Sequence, residues 1–141
     1  MRNIVESTLA YEEWLKRQIP LIPEDLEVKH RKMAHDKFQF LRATFYRWCE
    51  LWPEIEKQYG FDTAVLAVGD LHVQNFGTWR DMEGRLVWGV NDFDEVATCS
   101  FANDLVRVAA SAILAAKQNN LILLSPEEIF ESLLSGYGKI L

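Results

Sequence analysis

The chain has 141 residues, nearly half of them apolar, which is enough for one domain with a single core and too few for two typical domains. Its formal net charge of −6 argues against a nucleic-acid partner, because such proteins usually carry a basic stripe. No run of eighteen apolar residues and no apolar signal core occur, so we expect a cytoplasmic protein with no membrane partner. Cys49 and Cys99 lie far apart and outside metal-ligand spacing, which indicates reduced packing residues.

The first third of the chain is predicted to be helical. Apolar residues recur at helical spacing over residues 7–19 and 23–59, and Pro20 and Pro23 separate the two stretches. The apolar faces consist of Tyr11, Trp14, Leu15 and Ile19 in the first helix and of Phe38, Leu41, Phe45, Trp48 and Trp52 in the second.

The middle third changes character. Residues 64–68 and 86–90 are short apolar runs typical of strands, and Glu83-Gly84 is a turn before the second run. Polar motifs follow both runs directly. We therefore expect a segment of strands and loops over residues 60–95.

The last third, residues 96–141, is again predicted to be helical. Residues 125–128, Ser-Pro-Glu-Glu, form a capping box with proline at the first helical position, and the helix should continue through Tyr137. An earlier helix should bury a stripe made of Phe101, Leu105, Val108, Ala109, Ala112 and Ala116. The predicted fold is a single α+β domain over residues 1–141, mainly helical, in which a small β-hairpin sheet carries the polar motifs.

Two polar motifs carry the chemistry. Residues 67–77 read Ala-Val-Gly-Asp-Leu-His-Val-Gln-Asn-Phe-Gly, and residues 90–95 read Val-Asn-Asp-Phe-Asp-Glu. Phosphoryl transfer requires a group that orients a hydroxyl nucleophile and groups that hold Mg²⁺ against the phosphates. An Asp-x-x-x-x-Asn loop and an Asp-Phe pair supply those roles in protein kinases. Either motif alone is weak evidence for this chemistry. The occurrence of both motifs at the ends of two strands favours a phosphotransfer site.

These residues resemble known families. Gly-Asp-Leu-His-x-x-Asn at residues 69–75 is similar to the catalytic loop of aminoglycoside and choline kinases, and Asp92 precedes an Asp-Leu pair by twelve residues, as in their metal-binding segment. The closer resemblance is to a mostly bacterial family called domain of unknown function 2252. That family shares Asn-Asp-Phe-Asp-Glu at residues 91–95 and Asp-Leu-x-Arg at residues 104–107. With Lys32-Met33 and residues 38–42, the resemblance extends over roughly residues 30 to 141.

The resemblance implies a kinase-like phosphotransferase that uses ATP and Mg²⁺ or Mn²⁺ and acts on an unknown small-molecule or protein acceptor. Asp70 would be the catalytic base or the acid that orients the hydroxyl group. His72 would belong to the same catalytic loop as a hydrogen-bonding scaffold. Asn75 and Asp92 would hold the metal ion, since a hard cation takes carboxylate and amide oxygens. Asp104 would brace the loop, or would simply be a first-turn acid favoured by the helix dipole.

Two further candidates have open alternatives. Asp94 could bind a second metal ion or a cationic substrate, and exposed acids in turns are equally common. Arg42 could bind a phosphate of the nucleotide as a forked donor, or it could be a solvated helix residue.

The sequence also lacks a feature that a complete kinase needs. Residues 1–59 contain no glycine, so no Gly-rich phosphate loop precedes the catalytic motif. In the resembled family a Gly-rich segment and a lysine-bearing strand lie downstream. We therefore expect this chain to be the first part of a longer protein and to be inactive alone.

Two other functions remain open at this stage. One is a non-catalytic, kinase-like remnant that serves as a binding module. The other is a metal-dependent phosphoesterase, which Gly-Asp-x-His at residues 69–72 also resembles, although such a site needs more histidines than His30 and His35 add.

Overall fold

The computed structural model describes residues 2–61, 63–121 and 124–139. The chain forms two compact units, Met1–Tyr59 and Gly60–Leu141. The described residues contain six α-helices and four β-strands, which confirms the predicted α+β class. That the chain is a single domain stays a prediction.

Four helices make up the described part of the first unit: α1 (Ile4–Lys16), α2 (Pro23–His35), α3 (Lys37–Ala43) and α4 (Phe45–Tyr59). Helix α1 begins and ends three residues before the predicted helix over 7–19. The reason is a capping box, in which the Asn3 side chain accepts a hydrogen bond from the backbone N–H of Glu6 and the Glu6 side chain accepts one from the backbone N–H of Asn3.

The predicted continuous helix over 23–59 is wrong, because the structure breaks it twice. Asp36 has extended backbone angles, φ −134° and ψ 125°, and its carboxylate accepts a hydrogen bond of 2.8 Å from the N–H of Gln39. Thr44 leaves the helix at φ −122° and donates its hydroxyl to the carbonyl of Phe40 at 2.7 Å. Asp and Thr side chains compete with helical hydrogen bonding in this way, and apolar periodicity does not register that competition.

Glu50 connects two helices of the first unit. The Glu50 carboxylate on α4 accepts hydrogen bonds from the hydroxyl of Ser7 on α1 at 2.5 Å and from the guanidinium of Arg47 at 2.9 Å. Arg2 donates to the other carboxylate oxygen at 3.2 Å. The hydrogen bond from Ser7, followed by the one from Arg47, holds the pKa of Glu50 below its usual value of 4.5.

The second unit contains four short strands and two helices: β1 (Ala64–Ala67), β2 (Phe76–Arg80), β3 (Leu86–Val90), β4 (Ala97–Ser100), α5 (Phe101–Gln118) and α6 (Pro126–Gly138). The strands form two separate antiparallel pairs, β1 with β4 and β2 with β3. Both strands expected from the sequence are present. Each pairs with a strand that the sequence analysis did not identify, so the single small sheet predicted there is two sheets.

Helices α5 and α6 begin at serine caps. The Ser100 side chain accepts a hydrogen bond from the N–H of Ala102, and Ser125 forms the predicted capping box with Glu128. Of the stripe predicted for α5, Val108, Ala109 and Ala116 are buried, and so is Ala102, outside the predicted set. None of the described helices combines the length and the apolar character needed to cross a bilayer.

Candidate functional site

The loop that follows β1 rests on one side of α5. We call Asn103, Asp104, Arg107 and Ser111 the polar stripe of α5, because residues four apart on a helix share a face. The Asp104 carboxylate accepts hydrogen bonds from the backbone N–H groups of Val68 and Gly69 at 2.7 and 3.0 Å. The Asn103 amide donates to the carbonyl of Gly69 at 3.2 Å. Two consecutive peptide groups of the loop are therefore held by α5.

The rest of the stripe holds the middle and the end of the same loop. Arg107 is completely buried, and its Nε donates to Oδ1 of Asp70 at 2.7 Å, while its Nη2 bonds the same oxygen. The Ser111 hydroxyl, also completely buried, accepts from the N–H of Val73 at 3.0 Å. Asp70 thus lies between two backbone anchors and has a buried cation as its partner.

The β2–β3 hairpin brings Asn75 and Asp92 together. Phe76 pairs with Val90, and the N–H of Asn91 donates to the carbonyl of Asn75 at 2.9 Å. Asp92 is the next residue, and its Oδ2 accepts a hydrogen bond of 3.2 Å from the Asn75 side-chain amide. The two residues are 17 positions apart in sequence, and strand pairing alone makes them neighbours.

Asn75 also closes the loop on itself. Its Oδ1 accepts a hydrogen bond of 2.6 Å from the backbone N–H of His72, and both residues are buried. The amide nitrogen of Asn75 therefore faces Asp92 and the amide oxygen faces the loop. In this arrangement Asn75 orients Asp92 directly.

The two motif loops meet at Gly69. Gly69 has φ +90°, and a Cβ at this position would lie 2.2 Å from the carbonyl oxygen of Glu95. Within the second loop, the N–H of Asp94 reaches Oδ1 of Asp92 at 3.4 Å. The positive φ and the close approach both require glycine at this point.

Between the two loops lies a cavity of about 160 Å³, lined by Val68, Asp70, Asp92, Asp94 and Glu95. We call it the acidic pocket. It brings together three of the predicted site residues, Asp70, Asp92 and Asp94. Asn75 is connected to the pocket through Asp92. Asp104 is connected to it through the backbone of the loop.

Two other predicted residues, His72 and Arg42, are not among the residues that line the acidic pocket. His72 is buried in the loop, where its backbone takes part in the bond to Asn75. Arg42 lies on α3 in the first unit and is exposed, and its assignment to a nucleotide phosphate stays a prediction. Of the other histidines, His30 on α2 is hydrogen-bonded to the buried Glu12 at 2.6 Å.

The donor set of the pocket fits a hard cation. Carboxylate oxygens suit Mg²⁺ and Mn²⁺, and Mg²⁺ is usually held by one or two carboxylates with waters and phosphate oxygens completing its shell. In the part of the chain that the structure describes, no group of three or more His, Cys, Asp or Glu side chains is arranged to hold a metal ion. Asp92, supported by Asn75, could hold a metal ion whose coordination shell is completed by oxygens of the substrate.

Sequence reasoning missed the roles of Asn103, Arg107 and Ser111. These residues recur at i, i+4 and i+8, a helical spacing that would have revealed a second, polar face on α5.

The geometry defines an α+β protein in which the loops that follow β1 and β3 line an acidic pocket. The chain belongs to the family described as "Uncharacterized protein conserved in bacteria (DUF2252)", whose model matches residues 21–141. The match confirms the resemblance to that family and extends it from residue 30 to residue 21. No curated protein and no solved structure matches the chain.

Proposed function

We propose that this chain carries the acidic, metal-binding side of an ATP-dependent phosphotransferase that acts on a hydroxyl acceptor. The observation that supports this most directly is the acidic pocket, where Asp70 and Asp92 lie together and Asn75 contacts Asp92 at 3.2 Å. Phosphoryl transfer depends on positioning and electrostatics more than on covalent chemistry, and this set of groups meets both needs.

Asp92 is the metal ligand in this proposal. Mg²⁺, when bound, would neutralise charge on the β- and γ-phosphate oxygens. Asn75 fixes Asp92 through one carboxylate oxygen, and the N–H of Asp94 contacts the other at 3.4 Å. Asp94 lines the same pocket and would add negative charge, as a weaker contributor or a contact for a second cation.

Asp70 orients the acceptor hydroxyl. The buried guanidinium of Arg107 donates to Oδ1 of Asp70 and fixes the direction of this carboxylate. Asp70 therefore acts mainly by accepting a hydrogen bond from the hydroxyl and aiming it at the phosphate. His72 and Asp104 hold the loop, and Arg42 remains the candidate contact for a nucleotide phosphate.

Mn²⁺ binding tests the metal assignment without requiring turnover. We expect the 141-residue chain to bind Mn²⁺ weakly, as measured by the loss of the free-ion signal in electron paramagnetic resonance. Asp92→Asn should abolish the binding, and Asp94→Asn should weaken it less. Glu131→Gln, which removes the same charge from the exposed surface of α6, is the matched control and should bind as the parent does.

The opposite results would refute the proposal. If the parent chain takes up no Mn²⁺, or if Asp92→Asn binds as well as Glu131→Gln, the pocket is not the metal side of a phosphotransferase. A non-catalytic module would then be the better interpretation.

A further inference from the structure

Asp70 and Asp92 line the same pocket but have different partners. Arg107 donates to Oδ1 of Asp70 through both Nε and Nη2, and the Arg107 side chain is only 1% exposed. Asp92 accepts hydrogen bonds from the amide of Asn75 and from the N–H of Asp94, which are both neutral donors. The two acids therefore differ in how much negative charge each presents to the pocket.

We propose that Arg107 is a positioning residue that keeps Asp70 out of the metal shell, so that the metal ion binds at Asp92 and Asp70 stays available to the acceptor. This inference rests on the proposed function. Within the site, it assigns metal binding to Asp92 and orientation of the acceptor to Asp70.

The chemistry of arginine suits this role. The guanidinium group stays charged at every accessible pH, and its fork fixes a carboxylate in direction as well as in charge. Moving Asp70 towards a metal ion would leave a buried cation without its counter-ion, which is costly. Among the described residues that line the pocket, four are acids and none is basic. Arg107 therefore supplies a positive charge that the lining itself does not.

The neighbours of Arg107 strengthen the constraint. Asp104, one turn before it, holds the loop at Val68 and Gly69, and Ser111, one turn after it, holds the loop at Val73. Asp70 lies between these anchors, so its backbone has little freedom to bring the carboxylate to Asp92.

A double-mutant cycle on Mn²⁺ affinity tests the inference. A unit charge about 8 Å from a divalent ion changes its binding roughly fivefold even at the dielectric constant of water. Arg107→Gln should therefore bind Mn²⁺ about fivefold more tightly than the parent chain. The double variant Asp70→Asn with Arg107→Gln should return to the parent affinity. Arg107→Lys keeps the charge but loses the fork, so its Mn²⁺ affinity should rise less than that of Arg107→Gln.

A merely structural role for Arg107 predicts the opposite sign, because a disordered loop binds the ion less well. Weaker Mn²⁺ binding by a folded Arg107→Gln would overturn the inference, and so would a gain in Arg107→Lys as large as in Arg107→Gln. Folding is checked by circular dichroism.

If Arg107→Gln does not fold, the Mn²⁺ affinities of Asp70→Asn and Asp92→Asn show whether Asp70 is a metal ligand. Asp70→Asn should weaken binding only about fivefold, as a change of charge, while Asp92→Asn should abolish it. Equal abolition by both would make Asp70 a metal ligand and refute the role of Arg107. A parent-like Asp92→Asn would instead refute the proposed function itself, so the two failures are distinguishable.

Discussion

The backbone carbonyl of Glu95 closes over Gly69 so tightly that any side chain at position 69 would collide with it, at 2.2 Å from a Cβ. Gly69 belongs to the loop of Asp70, and Glu95 belongs to the loop of Asp92 and Asp94. Gly69 does not line the acidic pocket, but its close contact with Glu95 sets the distance between the two loops that do.

Gly69→Ala should be strongly destabilising. The substitution adds the strain of φ +90°, typically about 1 to 2 kcal/mol, to a collision with backbone that cannot rotate away. We expect a loss of about 3 kcal/mol or more in the free energy of unfolding, measured by urea denaturation. Gly84→Ala is the matched control, since Gly84 has φ +78° with nothing within 4 Å, and it should lose only about 1 kcal/mol. Equal losses in both variants would contradict the close packing of the two loops.

Asp104→Asn should separate loop bracing from a helix-dipole effect. The carboxylate accepts two backbone N–H groups, and the amide can replace only one acceptor oxygen. We expect a loss of about 1 to 3 kcal/mol in unfolding free energy, because a donor in the loop is left unsatisfied. Glu127→Gln removes a first-turn acid from α6 and should cost about 0.3 to 1 kcal/mol. Similar losses for both would mean that Asp104 acts only on the helix dipole.

Glu50→Gln should lower the stability of the first unit in a pH-dependent way. The pKa of Glu50 is lower in the folded chain than its usual value of 4.5, so its contribution is present above that pH and disappears as the pH falls through the folded pKa. The loss at pH 7 should be roughly 0.5 to 1 kcal/mol, modest because the site is partly open to solvent. Urea denaturation at pH 7 and pH 3 should show the difference between variant and parent shrinking at acidic pH.

Glu54→Gln, also on α4, provides the reference for this measurement. It should change stability little at either pH. A loss in Glu50→Gln that is constant from pH 7 to pH 3 would show that the charge of Glu50 is not what stabilises the contact with Ser7 and Arg47.

ATP turnover by the 141-residue chain can be measured directly. The 141-residue chain should show no measurable transfer or hydrolysis of the ATP γ-phosphate, because its sequence provides no Gly-rich cradle for the phosphates. A protein that joins these 141 residues to a Gly-rich segment and a lysine should react with Mg²⁺-ATP, as followed by release or transfer of labelled phosphate. Asp70→Asn should abolish the reaction and leave nucleotide binding largely intact.

Two results would contradict this view. Robust activity of the 141-residue chain would show that the catalytic site is complete without a second segment. An inactive longer protein that still binds Mn²⁺ would favour a binding module over an enzyme.

The sequence by itself determined the α+β class, two of the four strands, the start of α6 and the two polar motifs. These features are local. A capping box needs only Ser125 and Glu128, and a strand of apolar residues such as Leu86–Val90 is visible within five positions. Apolar spacing did not predict the structure correctly between residues 23 and 59. It indicated one continuous helix there, which the side chains of Asp36 and Thr44 interrupt.

Only the tertiary structure decided what the motifs touch. Ala64 pairs with Ser100, and Asp70 bonds Arg107, 37 positions away. Sequence patterns show which face of an element is apolar, but they do not show which distant strand completes a sheet. The partner of Asp70 was decided by burial, since a fully buried guanidinium requires a carboxylate close by, and the fold of β1 onto α5 brings that carboxylate within reach.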